Sequence, residues 1–238
     1  MTVKIGKNNY HVDLKSACDI SIPVSFGKKQ LVAFDGPPAS KKAYEAGNFI
    51  GDMRHGGSCN CEVYSFSPHL NGTHTECVGH ITKERISVQD VAKESLIAAT
   101  VLTVLPKNDL ITGAMLNKLK PGFLDALIIR TLPNAKSKTA RNYSRAAPPY
   151  FTSEAMRAIV KLDVRHLLVD FPSVDKVDAA KLINHRIFWN KNPMTKTITE
   201  LVYVPDKVKD GNYLLNLQVA AFEGDAAPSR PVLYKVRR

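Results

Sequence analysis

The chain has 238 residues, 44% of them hydrophobic and 23% charged, enough for a sizeable core in one large domain or two small ones. No stretch approaches the roughly 20 apolar residues a membrane-spanning helix needs, and residues 1–14 lack the apolar run of a signal peptide, so a cytoplasmic protein with no membrane partner is expected. The net charge of +11 favours anionic partners, yet the basic clusters at residues 136–141 with Arg145, and at 235–238, have few aromatics beside them and no nucleic-acid module. No nucleic-acid partner is expected; affinity falling steeply with salt would mark one.

The four cysteines are Cys18, Cys59, Cys61 and Cys77. A one-residue gap between Cys59 and Cys61 suits neither an ordinary disulfide nor a C-x-x-C site, so buried reduced thiols are expected. No repeat or Pro/Gly/Ser-rich linker divides the sequence, which reads as a single domain over residues 1–238. Ile20-Ser21-Ile22-Pro23-Val24 alternates as an early strand. Asp35-Gly36-Pro37-Pro38 is a sharp turn opening an excursion toward Gly51, read as a loop over a site. Ser87-Val88-Gln89-Asp90 has capping-box form and predicts a short helix, followed by a β-rich run at 101–105 closed by Pro106. Residues 126–131 form another apolar run. Thr152 predicts an N-cap for a helix with Ala155, Met156, Ile159, Val160 and Leu162 on its apolar side, leading to a buried strand at 167–169. Strands are expected at 197–199, 213–222 and 232–236. This succession predicts an α/β fold with a mixed sheet and flanking helices rather than a purely doubly wound one.

Three of the seven histidines, His69, His74 and His80, lie within twelve residues of one another in a segment that also holds Glu76. Imidazole nitrogen and carboxylate oxygen both suit zinc, manganese or iron. Side chains alternate along an extended chain, so His74 and Glu76 share a face, and His80 joins them if the chain stays extended. Gly72 permits a tight conformation or a close approach just before His74. Any one of these histidines alone reads as an ordinary surface or core residue; the combination reads as a metal site.

Gly72-Thr73-His74-Thr75-Glu76-x-x-x-His80 resembles the motif H-x-G-T-H-x-D-x-P-x-H of the cyclase family that includes bacterial kynurenine formamidase and isatin hydrolase. Further segments are similar in the same order: Asp19-Ile20-Ser21-Ile22-Pro23-Val24, Ala126-Leu127-Ile128-Ile129-Arg130-Thr131, Pro148-Pro149-Tyr150-Phe151-Thr152, and Leu168-Val169-Asp170-Phe171-Pro172-Ser173-Val174-Asp175. The resemblance implies the swivelling β/β/α-like cyclase fold, one or two divalent ions (zinc or manganese), and a homodimer whose neighbouring subunit closes part of the pocket. His185-Arg186-Ile187-Phe188 and Thr197-Ile198-Thr199-Glu200-Leu201 resemble the segments that supply the later histidine and glutamate. The implied ligands are therefore His74, Glu76, His185 and Glu200, with His80 at the catalytic position.

Two departures stand out. The motif's first histidine falls on Leu70 and its aspartate on Glu76, and His69 is one residue out of register. In an unbroken strand His69 would face away from His74, but a bulge near Asn71-Gly72 would bring it back; His69 is the expected replacement ligand, the alternative being a site short of one ligand. The implied chemistry is cleavage of the C–N bond of a small, carboxylate-bearing amide, arylformamidase-like (N-formylkynurenine to kynurenine and formate), by metal-activated water with His80 as base and then acid. Tyr64, Phe66, Phe49 or Tyr150 would supply an aromatic wall. The rival reading is a non-catalytic protein of the same fold that binds a small anion through Arg130 or a loop basic residue.

Overall fold

The structure, a computed structural model, describes residues 1–238 apart from the side chain of Arg145; the part of the basic segment resting on that side chain lies outside the described residues. Eleven strands form one mixed sheet: β1 (Thr2–Ile5), β2 (Asn8–Val12), β3 (Cys18–Asp19), β4 (His74–Glu76), β5 (Leu96–Val104), β6 (Ala126–Thr131), β7 (His166–Val169), β8 (Thr197–Glu200), β9 (Gly211–Asn216), β10 (Ala226–Pro228) and β11 (Val232–Arg237). Their order is β1-β2-β11-β9-β5-β6-β7-β8-β4-β10, with β3 paired to β11. The strands β5 to β8 are parallel, while β4, β9, β10 and β11 pair antiparallel.

The continuous apolar run of β6 is what a parallel strand covered on both faces requires. Leu127 and Ile129 point into the core under the helices α3 (Ser153–Lys161) and α4 (Ile183–Trp189), which includes Met156, Ile159, Phe188 and Trp189; Ala126 and Ile128 enter a second core with Val101, Leu215 and Leu233. Thr152 caps α3 as its sequence predicts, its hydroxyl accepting from the Ala155 N–H. Ser87 likewise caps the short helix α2 (Val88–Val91). Among the described residues no helix is long and apolar enough to cross a membrane.

Four expectations are corrected. Residues 20–24 form no strand: Pro23 lacks a donor, and the chain instead threads between elements, with Ile20 N–H on Pro231 O, Ile20 O accepting from Tyr203, and Ile22 O accepting from Thr73. The predicted strand at 213–222 ends at Asn216, and the unanticipated β10 lies at the sheet edge beside β4. The excursion after Pro38 folds into two small antiparallel pairs, Ser40–Ala43 with Glu62–Ser65 and Glu45–Ala46 with Phe49–Ile50. Cys59 and Cys61 lie on this arm and are exposed; of the four thiols only Cys77 is buried.

Candidate metal centre

The short strand β4 is buried at every residue, between β8 and β10. Its register sets Glu200 of β8 directly opposite His74, so both project from one face, with Glu76 two residues along on the same face. His74 Nε2 lies 3.6 Å from Glu200 Oε2. Thr75, on the other face, bonds Thr199 and Ser229. Gly72 holds the approach: a Cβ there would stand 2.9 Å from Ile22 O and 3.1 Å from Val24, so a close approach, rather than a special turn, demands glycine.

His80 reaches the same centre by a different route from the one an extended chain suggests. After β4 the chain tightens into a 3-10 turn, Val78–Ile81, which brings His80 Nδ1 within 3.8 Å of Glu76 Oε2 and 3.2 Å of Asp225 Oδ2. Gly79 allows this turn to press on the next segment, since a Cβ would meet Ile86 O at 2.2 Å.

His69 arrives through a helical turn, and the expected bulge is absent. Pro68–Asn71 forms one turn of helix, α1, in which neighbouring side chains diverge by about 100°. Leu70 turns away toward Gly36, while its carbonyl accepts from Ala33, and Asn71 Nδ2 donates to Pro37 O. The turn at residues 35–38 therefore supports α1. His69 Nδ1 lies 3.3 Å from Glu76 Oε2 and its Nε2 2.9 Å from Asp225 Oδ2. His185, from α4, places Nε2 3.2 Å from Glu76 Oε1 and 3.8 Å from Glu200 Oε1.

Asp175 orients His185. It accepts the Asn184 and His185 backbone N–H groups at the start of α4 and the His185 Nδ1–H at 2.6 Å, which leaves Nε2 aimed at Glu76. His74 is oriented in the same sense, its Nδ1–H donating to Gly72 O at 3.1 Å. Such partners fix the tautomer of a metal-binding imidazole.

The electrostatics follow from this crowding. Burial opposes charge on His69 and His185, yet Asp225 and Glu76 around the first, and Asp175 and Glu76 around the second, carry each pKa up to about 10. Burial likewise works against the Glu76 carboxylate, but His185 and His69 hold its pKa well below the usual range. Despite these short approaches the groups are not aligned as hydrogen bonds: His74 Nε2 and both Glu76 oxygens are buried without a hydrogen-bond partner. Buried polar atoms are very largely satisfied in folded proteins, so three orphans converging on one point, with His69, His185 and Glu200 around them, fit a divalent cation. Donor atoms of His69, His74 and Glu76 lie within 4.8 Å of one another, as do those of Glu76, His80 and His185 and those of His69, His80 and Asp225.

Each expected ligand is thus brought there together with His80, and Asp175 and Asp225 join them without having been anticipated in these roles. Asp225 is 156 residues from His69, and no local pattern marks it. A polar cleft of ≈ 750 Å³ reaches the centre at His80 and Asp225, walled by Thr82, Arg85, Ile86 and Lys93. Tyr64, Phe66, Phe49 and Tyr150 are not among its lining residues. Phe66 packs on Phe222 and Tyr64 on Phe26 instead. Arg130 does not offer an anion site: it is buried, and its guanidinium donates to Thr103 Oγ1, Pro205 O, Val208 O and Asp210.

The sequence resembles kynurenine formamidase from Bacillus cytotoxicus, at 25% identity over 179 residues, 74% of this chain and 81% of the relative. The fold matches a "predicted metal-dependent hydrolase from Bacillus stearothermophilus" with a TM-score of 0.66 at 17% identity, covering 92% of this chain and 97% of the other. It also matches isatin hydrolase A from Labrenzia aggregata with a TM-score of 0.65 at 16% identity, covering 92% and 93%. The sequence model of the family described as "Putative cyclase" matches residues 13–176. Matched over more than half its length, the chain belongs to this cyclase family.

Proposed function

We propose that this protein is a metal-dependent hydrolase that cleaves the C–N bond of a small amide, with N-formylkynurenine-like arylformamides as the first candidates. The observation that carries the reading is the convergence of the three unpartnered buried atoms, His74 Nε2 and the two Glu76 oxygens, with His69, His185 and Glu200. These five residues would hold the ion, zinc or manganese. When bound, a divalent ion supplies Lewis acidity and lowers the pKa of water toward neutrality.

The chain's own part is proton transfer and positioning. His80 Nδ1–H is committed to Asp225, at 3.2 Å, so Nε2 is the nitrogen left to take a proton from water and return it to the leaving amine. His80 lines the cleft, where a substrate carbonyl can be presented to it. Arg85 on the same wall gives a substrate carboxylate a counter-charge, Lys93 lying 3.9 Å from Asp90, and ≈ 750 Å³ is a usual volume for a small-molecule site. The kynurenine formamidase relative supports the formamide substrate, and the isatin hydrolase fold match makes cyclic amides the next class to assay.

The test is metal content after purification without chelators and again after zinc or manganese loading, with hydrolysis of N-formylkynurenine and isatin. One or two ions per chain, lost together with activity in His74→Ala, is the expected result. A protein that takes up neither ion overturns the reading. We also propose a homodimer, supported by the exposed Tyr44, Ile50, Met53, Val63 and Tyr64 on the projecting arm; a monomer by light scattering would refute it.

A further inference from the structure

Leu70 stands where the family motif has its first histidine, and a helical turn presents His69 instead. That leaves a chemical problem. An imidazole offered from a new backbone position must be held in one tautomer and one orientation to serve as a ligand. His74 is held by Gly72 O and His185 by Asp175, in each case through Nδ1, with Nε2 presented inward. His69 is the reverse: its Nδ1 faces Glu76 and its Nε2 points out of the centre.

Asp225 meets that Nε2. Its Oδ2 lies 2.9 Å from His69 Nε2 and 3.2 Å from His80 Nδ1. A carboxylate can only accept, so both imidazoles donate to it. The two rings stand 4.5 Å apart, centroid to centroid, tilted by 35°, and share that one oxygen. Asp225 precedes β10, whose Ala226 pairs with Glu76, and the Asp225 carbonyl accepts from Cys77 N–H. The backbone that follows the carboxylate is therefore tied to the segment that carries the ligands, while Gly224 before it accepts from the Val88 N–H.

We infer that Asp225 is a positioning residue: it fixes His69 as an Nδ1 ligand in place of the histidine lost at Leu70, and it sets His80 with Nε2 free. The inference rests on the metal-hydrolase reading above. One carboxylate thereby couples a metal ligand to the proton-transfer residue, and the out-of-register His69 becomes usable only with Asp225 beside it.

The experiment is zinc titration of the full chain by competition with a chromophoric chelator, with ions per chain counted by elemental analysis. Asp225→Asn is expected to weaken zinc by about 10–100-fold, the usual cost of losing such a partner, with the number of ions unchanged. In a His69→Ala background the same substitution is expected to weaken zinc by less than about twofold, because the residue it orients is gone; a merely structural role would keep its full penalty there. The Asp225 side chain is 40% exposed, and Asp225→Ser serves as a second variant, with circular dichroism to confirm folding. Unchanged affinity in both variants overturns the inference while leaving the metal reading intact. So does the loss of one ion per chain, which would make Asp225 a ligand, or an undiminished penalty without His69. A wild-type protein that takes up neither zinc nor manganese overturns both readings.

Discussion

Two clusters of buried charge in this molecule are built in opposite ways. At the end of β6, Lys138 Nζ donates to Thr131 O, Thr131 Oγ1 and Asp170 Oδ2 at 2.7–2.9 Å, while Asp170 also accepts from the Thr131 N–H and hydroxyl. The neighbouring Arg130 is likewise occupied along its whole guanidinium. Around Glu76, histidines and carboxylates crowd together and leave His74 Nε2 and two carboxylate oxygens without partners. A saturated network has nothing to offer a ligand and acts as structure. An unsaturated one costs stability until something fills it. Basic residues at 136–141, which by sequence suggest an exposed run, belong in part to the first kind through Lys138.

The largest effect that would test the contrast is on the saturated side. Lys138→Met leaves Asp170 as an uncompensated buried carboxylate, and a loss of about 3–5 kcal/mol in urea unfolding is expected, with zinc affinity unchanged. Burial already pushes the Asp170 pKa up despite Lys138, so in the variant the carboxyl can take a proton, and the loss should be smaller at pH 5 than at pH 8. A loss below about 1 kcal/mol would break the distinction.

On the unsaturated side, protons occupy in the metal-free protein the role a cation would take. His69 and His185 titrate near 10 in the folded chain against about 6.5 unfolded. The folded pKa is the higher one, so this stabilisation is complete below about pH 6.5 and is lost as pH rises through about 10. Unfolding of metal-free protein across that window should show the decline, and His185→Gln should reduce it. Zinc binding at pH 8 should release roughly two protons per chain, read by calorimetry in buffers of different ionisation enthalpy. Zinc uptake without proton release would show that the histidines are not its ligands.

How much of this was legible in the sequence depended on distance along the chain. The β4 face carrying His74 and Glu76 follows from period-two alternation, and Thr152 at the start of α3 from cap chemistry. The buried run 126–131 follows from composition, though not the two separate cores it divides. His185 and Glu200 were reached only through the family resemblance, since nothing in their own spacing joins them to His74. The route of His69 departs from the expected bulge because Pro68, suited to a first helical turn, starts α1. Asp225 had no signal, because its partners are set by the pairing of β10 with β4, and three-residue strands leave little periodicity to read.

The smallest effect separates the two kinds of network within one residue. Asp175 is saturated like Asp170, since it accepts two backbone N–H groups at the head of α4, yet through His185 it also serves the unsaturated centre. Asp175→Asn keeps one acceptor oxygen and puts an NH2 where the other stood, so it can no longer serve all three donors. The loss of part of a helix cap costs about 1 kcal/mol, well under the Lys138→Met effect. Zinc affinity, by contrast, should fall about 10–100-fold, because the His185 tautomer that presents Nε2 is no longer enforced. If stability fell while zinc affinity held, Asp175 would belong wholly to the structural network and His185 would be oriented by the packing of Trp189 and His80 around its ring, 5.5 and 5.6 Å away. If affinity fell with stability nearly intact, the boundary between the two networks would run through this single carboxylate.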